Sequence, residues 1–177
     1  MGDLLSFPSV AIQPAAKLLG SRRGLLRGTP AATWYERGCQ LELQDPAGAI
    51  AAYARAIAGC PTFADAHNNL GRLHHDARSL AVAESCYRLA ICADDRVALY
   101  WFNLGVVVED QGRHAEAIAA YERALERDAE AADAHYNLAR LLELNGRRAG
   151  DEIEMRRAVR HLLRYRQLRQ GATAGKR

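Results

Sequence analysis

Residues 98–131 read ALYWFNLGVVVEDQGRHAEAIAAYERALERDAEA. Two apolar patterns of helical period flank a Gln111-Gly112-Arg113 turn. Leu99, Phe102, Val106 and Glu109 follow one side of the first segment, while Trp101, Leu104, Gly105 and Val108 follow another, at the three- and four-residue steps that bring helical side chains together. The second segment repeats the step with Ala117, Tyr121, Ala124 and Leu125. A helical pair this short cannot bury both apolar faces by itself, so it requires neighbours of the same kind.

The neighbours stand 34 residues away on either side. Asn69-Leu70-Gly71, Asn103-Leu104-Gly105 and Asn137-Leu138-Ala139 keep that interval, as do Ala49, Ala83 and Ala117 within one residue type, Tyr53, Tyr87 and Tyr121, and Ala56, Ala90 and Ala124. Small residues (Gly105, Ala117, Ala124) admit a close helix, and large ones (Trp101, Leu104, Tyr121) fill the space beside it. This period, with Trp101, Leu104, Gly105, Val108, Ala117, Tyr121 and Ala124 at the signature places, resembles the tetratricopeptide repeat. The resemblance implies an all-α, right-handed α-solenoid of about four helix-turn-helix repeats, spanning residues 31–170.

Repeat one is expected over residues 31–63, with Trp34, Gly38, Leu41, Ala49, Tyr53, Ala56 and Pro61 at signature places. Its turn is one residue short, and Asp45-Pro46 supplies an N-cap followed by proline at the first helical position. Arg37 replaces the family's leucine, which suits a terminal repeat with one face in solvent. Repeat two covers 64–97, where His67 stands in the tryptophan place, His74 replaces another large residue, and Asp95 the closing proline. Repeat three covers 98–131, with Ala129 for that proline. Repeat four, 132–170, opens with His135, Tyr136, Asn137, Leu138, Ala139 and Leu142, and Asn145-Gly146 reads as its turn. Ala158, Val159, Leu162 and Tyr165 then fit the second-helix pattern seven residues late. Seven residues are close to two helical turns, so residues 148–154 are expected to lengthen the second helix without rotating its apolar face. That helix reads as a basic C-terminal cap, and residues 171–177 as a disordered tail.

The 177 residues suffice for one domain with a continuous core. The net charge of +3 hides an asymmetry. Residues 1–30 carry four basic and one acidic residue, 31–146 ten basic and seventeen acidic, and 147–177 ten basic and three acidic. Cys39, Cys60, Cys86 and Cys92 show neither a CxxC motif nor zinc-site spacing, and read as small helix residues in a reducing compartment. No apolar run reaches the roughly 18 residues of a membrane span. A soluble, cytoplasmic protein is therefore expected. Residues 1–30, broken by Pro8, Pro14 and Pro30, read as a flexible arm. Asp3 and the missing apolar run disfavour a secretory signal there. The arm's basic residues faintly resemble a transit peptide, and Met1-Gly2-Asp3-Leu4-Leu5-Ser6 matches the loose myristoylation pattern.

No nucleophile elbow, phosphate-binding glycine loop or HExxH motif is present, so neither enzyme activity nor a cofactor is expected. The six histidines are the remaining acid-base or metal groups, and His67 and His135, in the tryptophan column, read as packing residues rather than metal ligands. The family resemblance implies instead a concave groove lined by the first helix of each repeat, holding a peptide or extended segment of a partner protein. By that resemblance the lining includes Asp65, Asn68, Asn69, Arg72 and His75, then Leu99, Phe102, Asn103, Val106 and Glu109, then Asp133, Tyr136, Asn137 and Arg140. Side-chain amides offer both donor and acceptor, so the asparagine ladder either pairs with a ligand backbone or ties neighbouring helices. Phe102 and Tyr136 offer apolar anchors, and Arg72 and Arg140 hold carboxylates in a fork.

Arg156, Arg157, Arg160, Arg164 and Arg166 of the last helix have two readings, a solvated cap or a site for nucleic acid or another polyanion. Trp34 to Gly38 and Asp133 to Leu142, with the closing LLRYRQL, also resemble the repeat portion of bacterial regulators in which a MerR-type helix-turn-helix precedes the repeats. The expected role is thus a non-enzymatic adaptor or scaffold, and the alternative a nucleic-acid-associated regulator using its basic ends. The partner's identity and the oligomeric state are not written in framework positions.

Overall fold

The computed structural model describes residues 28–174, so the expected arm lies outside the described residues up to position 27, and so does the tail from 175. Eight helices and no strand occur among the described residues: α1 (Pro30–Leu41), α2 (Pro46–Gly59), α3 (Ala64–Asp76), α4 (Leu80–Ala93), α5 (Ala98–Asp110), α6 (His114–Arg127), α7 (Ala132–Ala149) and α8 (Glu152–Ala174). They form four hairpins in sequence order, stacked as a right-handed solenoid. Two starts carry side-chain caps. Thr29 accepts from the Ala32 amide at 3.3 Å ahead of Pro30, and Asp45 accepts from the Gly48 amide at 2.9 Å ahead of Pro46. The latter closes the short turn of the first hairpin.

Each of the first three hairpins is built on one close approach. A Cβ placed on Gly38, Gly71 or Gly105 would lie 2.6, 2.9 or 2.5 Å from the ring of Tyr53, Tyr87 or Tyr121, respectively. The missing side chain lets the ring lie flat on the opposite helix. The alanine columns Ala49, Ala83, Ala117 and Ala56, Ala90, Ala124 are wholly buried beside these rings. Glu84 accepts from Arg113 at 2.6 Å and from Gln111 at 3.0 Å, fixing the α5–α6 turn to α4. Burial of Glu84 opposes its ionisation, but those bonds prevail and lower its pKa to about 2.

The fourth hairpin departs from the sequence expectation. Asn145-Gly146 is helical, and α7 continues for 18 residues, against 13 in α5, until Gly150 adopts φ +68° and stops it. Most of the inserted length thus goes into the first helix of the pair. The reason lies at Gly146, where a Cβ would come within 2.9 Å of Met155 Cγ: the glycine serves as a helix contact, not as a turn. The second helix is continuous as far as Ala174, beyond the expected start of disorder at 171.

Histidine replaces tryptophan in one column without changing its bond. Trp101 Nε1 donates to the Asp95 carbonyl at 2.8 Å, His67 Nε2 to Pro61 at 2.8 Å, and His135 Nε2 to Ala129 at 3.1 Å. An aromatic N–H reaching six residues back is the shared requirement. His135 then accepts at Nδ1 from His161 Nδ1, 2.8 Å away on α8. Burial, then the neighbouring His135, Arg157 and Arg160, push the His161 pKa down to about 4, so the pair packs with His161 neutral. Among the described residues no group of three or more His, Cys, Asp or Glu side chains gathers as a metal site.

Candidate functional site: the concave face

The residues expected to line a concave groove stand on the first helices α3, α5 and α7, and the asparagine ladder among them lies in the interior. Asn68, Asn69, Asn103 and Asn137 are buried. Asn103 donates to Asn68 Oδ1 at 2.9 Å, Asn68 to Asn69 Oδ1 at 3.2 Å, and Asn69 to the hydroxyls of Tyr35 and Tyr53, each at 3.2 Å. Asn137 donates to Tyr121 Oη at 3.2 Å. Of the two roles open to these amides, the geometry gives them the internal one, tying each helix to the preceding repeat. A buried amide left without partners is costly, which holds the ladder in this orientation.

Above the ladder stand rungs built from two repeats each. In the first, Tyr53 Oη donates to Glu42 at 2.5 Å, and Glu42 pairs with Arg72 at 2.7 Å. In the third, Tyr121 Oη donates to Glu109 at 2.8 Å, and Glu109 pairs with Arg140. Position for position these are the same device, an Asn-Tyr-Glu-Arg relay. Arg72 and Arg140, expected to hold a ligand's carboxylate, are therefore already engaged with the chain's own.

The middle rung has the same places and different residues. His75 replaces the glutamate and turns to Asp110, 2.7 Å away, which also accepts from Arg78 at 3.2 Å. Val106 replaces the arginine. Tyr87 Oη and Asn103 Oδ1 are buried there without a hydrogen-bond partner. Burial raises the Tyr87 pKa above its ordinary value, with Arg72 partly opposing, so the hydroxyl remains a proton donor. One donor and one acceptor thus sit unsatisfied below a valine. Phe102 is buried in the adjoining turn against Tyr121, with ring centroids 5.8 Å apart, and Tyr136 is buried against Tyr165 at 5.1 Å. Both expected apolar anchors thus serve packing, and of the apolar lining residues Leu99 and Val106 are only partly covered.

The basic helix divides by face. Arg157 pairs with Glu122 and Arg164 lies 3.7 Å from Glu130, so α8 is fastened to the acidic flank of α6 and the turn after it. Arg156 pairs with Glu152 at 3.2 Å within its own helix, while Arg160 and Arg166 are exposed.

Alternation of two helices, with a Gly–Tyr contact inside the first three pairs and an Asn–Tyr bond joining the first pair to the second and the third to the fourth, is a repeat architecture in which each unit is completed by the next. The tetratricopeptide repeat family matches the sequence over residues 40–97, 82–129 and 102–164. The chain belongs to this family. As a tetratricopeptide protein it shares its fold with MamA, whose crystal structure superposes with a TM-score of 0.72 at 20% identity, covering 86% of this chain and 86% of that one. MamA from Desulfovibrio magneticus RS-1, from residue 41 onward, gives 0.66 at 17% identity over 80% and 76% of the two chains. The first tetratricopeptide domain of Spaghetti (RPAP3), bound to the HSP90 peptide SRMEEVD, gives 0.63 at 22% identity over 66% and 93%. No curated protein matches the sequence. Tetratricopeptide proteins are in general non-enzymatic protein-interaction scaffolds, and the fold of this one is theirs. Among the described residues no helix is long and apolar enough to cross a membrane.

The Glu42–Arg72 and Glu109–Arg140 pairs were missed by sequence reasoning. Their signal is present in the repeat frame: the residue four after each signature small residue faces the residue one after the next, giving Glu-Arg, His-Val and Glu-Arg in order.

Proposed function

We propose that the protein is a non-enzymatic cytoplasmic adaptor whose concave face holds an extended segment of a partner protein, read at the middle rung. The observation that carries this reading is the pair of unsatisfied buried groups, Tyr87 Oη and Asn103 Oδ1, beside the uncharged surface of Val106. Both side chains are wholly buried, so a ligand amide reaches them only when the partly covered Val106 moves aside; it then brings both the acceptor and the donor that these atoms lack, and an apolar side chain next to it packs on the valine. The outer rungs, neutralised within themselves, exclude strongly charged side chains from either side. The likeness to a peptide-bound tetratricopeptide domain supports the mode of binding, in which an extended chain lies across successive first helices. Asn68, Asn69, Asn103 and Asn137 set the helix spacing along that path, Phe102 and Tyr136 its floor, and Arg72 and Arg140 its fixed charged borders.

A photo-crosslinking residue at position 106, compared with one at position 51 on the outer face, tests the proposal in extract from the host cell. A discrete protein adduct at 106, absent at 51 and resistant to raised salt, is the expected result. Adducts that are equal at both positions contradict it. Nucleic acid captured instead, and released by salt, supports the regulator reading through Arg156, Arg160 and Arg166.

A further inference from the structure

The solenoid has a fourth groove of the kind that its interior fills with a helix. In repeats one to three, the space between the two helices of a hairpin receives the first helix of the next repeat, and in the first and third that helix brings an asparagine to the tyrosine of the hairpin. Asn69 reaches Tyr53 and Asn137 reaches Tyr121 in this way, each at 3.2 Å. Between α7 and α8 the corresponding groove is an open cleft of about 120 Å³, with Tyr136, Ala139, Arg140 and Glu143 on one wall and Met155, Ala158, Val159 and Leu162 on the other.

Its floor follows a different recipe. The Gly–Tyr contact of the first three hairpins is replaced by Ala139 and Leu162, which occupy the same two places in the repeat. The change is coupled. A Cβ at the glycine place meets the tyrosine ring at 2.9 Å or less in the other hairpins, so an alanine there excludes tyrosine and admits leucine. With the hydroxyl gone, an incoming asparagine loses the acceptor that Tyr53 and Tyr121 give it in the interior, Glu143 of the wall being held by Arg147 at 2.5 Å, and an aliphatic side chain fits in its stead. The exposed rim continues this apolar surface: Val159 and Leu163 are 54% and 52% exposed, at helical spacing from Arg156 and Arg166. The α8 helix as a whole carries six arginines against two glutamates. Arg157 and Arg164 are turned to α6 and Arg156 is paired with Glu152, so the basic groups on the cleft side are Arg140 in the wall itself and the exposed Arg166, one helical turn beyond Leu162.

We propose that this groove docks an amphipathic helix of a partner protein, one that presents an aliphatic residue where the interior helices present asparagine, and acidic residues along its flank. This is a second contact surface, at the end of the array, and it goes beyond the concave-face reading.

Two dye-labelled peptides test it, both copying residues 132–145 with Arg140→Glu, one retaining Asn137 and the other carrying Asn137→Leu. Fluorescence anisotropy against the whole chain is expected to show the leucine peptide binding about tenfold more tightly, the penalty for burying an amide with no partner. Val159→Glu, at a half-exposed position that leaves the core intact, is expected to weaken the leucine peptide about tenfold. The double variant Ala139→Gly, Leu162→Tyr restores the interior recipe and is expected to reverse the preference. A leucine peptide with lysines on its flank is expected to bind more weakly than the acidic one. Val106→Arg is expected to leave all of these affinities unchanged, which separates this proposal from the concave-face reading. Equal affinity of both peptides for the native chain, or no loss with Val159→Glu, overturns the proposal even if the double variant does not fold. Concentration-dependent self-association that Val159→Glu abolishes assigns the groove to a second copy, and overturns it as well.

Discussion

The outer rungs of the concave face and the middle one occupy equivalent places in the repeat, yet they are finished in opposite ways. Tyr53 and Tyr121 each pass a hydrogen bond to a glutamate that is held by the arginine of the next repeat. Tyr87 has no such acceptor, because His75 has turned to Asp110 and Val106 offers no charge. The comparison separates two uses of one framework. Where the relay is complete, the tyrosine hydroxyl and the glutamate are spent on holding the repeats together, although Arg72 of the first rung keeps its Nε buried without a hydrogen-bond partner. Where it is incomplete, the framework remains but Tyr87 Oη and Asn103 Oδ1 stay without partners, which is why we propose the partner's contact there.

Breaking a complete rung gives the largest expected effect. Glu109→Ala strands both Arg140 and the Tyr121 hydroxyl, and about 2 kcal/mol of stability is expected to be lost in urea titrations. His75→Ala, at the equivalent place, removes only a partly exposed bond to Asp110 and is expected to cost about 1 kcal/mol or less. Equal losses contradict the distinction between the rungs.

Removing the hydroxyls sharpens it. Tyr53→Phe and Tyr121→Phe each delete a satisfied group and leave a carboxylate short of a donor, at an expected cost of about 1 kcal/mol. Tyr87→Phe deletes a buried hydroxyl that has no partner, so it is expected to be neutral or to raise the melting temperature. A Tyr87→Phe loss as large as the other two shows that all three hydroxyls are satisfied.

The smallest effect lies beside the middle rung, at Arg78. Its φ is +60°, in the left-handed region that glycine holds at the equivalent Gly112. Arg78→Gly relieves about 1 kcal/mol of backbone cost and gives up an exposed pair with Asp110 worth roughly 0.5 kcal/mol or less, so a slight net stabilisation is expected in thermal melts. A clear loss of stability makes the Arg78–Asp110 pair a working part of that rung.

Much of this was legible in the sequence, for a definite reason. Columns such as Tyr53, Tyr87, Tyr121 and Ala56, Ala90, Ala124 are dictated by helix packing, which repeats with the chain, and the structure buries every one of them. The direction of a side chain at a helix edge is not so dictated. Asn69, Asn103 and Asn137 stand at the first helices as the 34-residue period requires, but whether an amide turns outward or inward depends on an acceptor in the preceding repeat, a tyrosine hydroxyl for Asn69 and Asn137 and Asn68 Oδ1 for Asn103. Rungs hide for a related reason, since Glu42 and Arg72 lie in different repeats, one of them a residue short. Asn145-Gly146 misled in the other direction. A turn dipeptide stays helical when its glycine is needed to admit Met155, and Gly150 supplies the stop instead.

The most direct measurement converts the middle rung into an outer one. His75→Glu together with Val106→Arg supplies Tyr87 with the glutamate and the glutamate with the arginine found at both other rungs. Partner capture by this double variant, beside the native chain and at matched folded concentration, tests whether the incomplete rung is the binding site. The account predicts a chain at least as stable as the native one that no longer retains the partner. A stable variant that retains the same partner undiminished contradicts it.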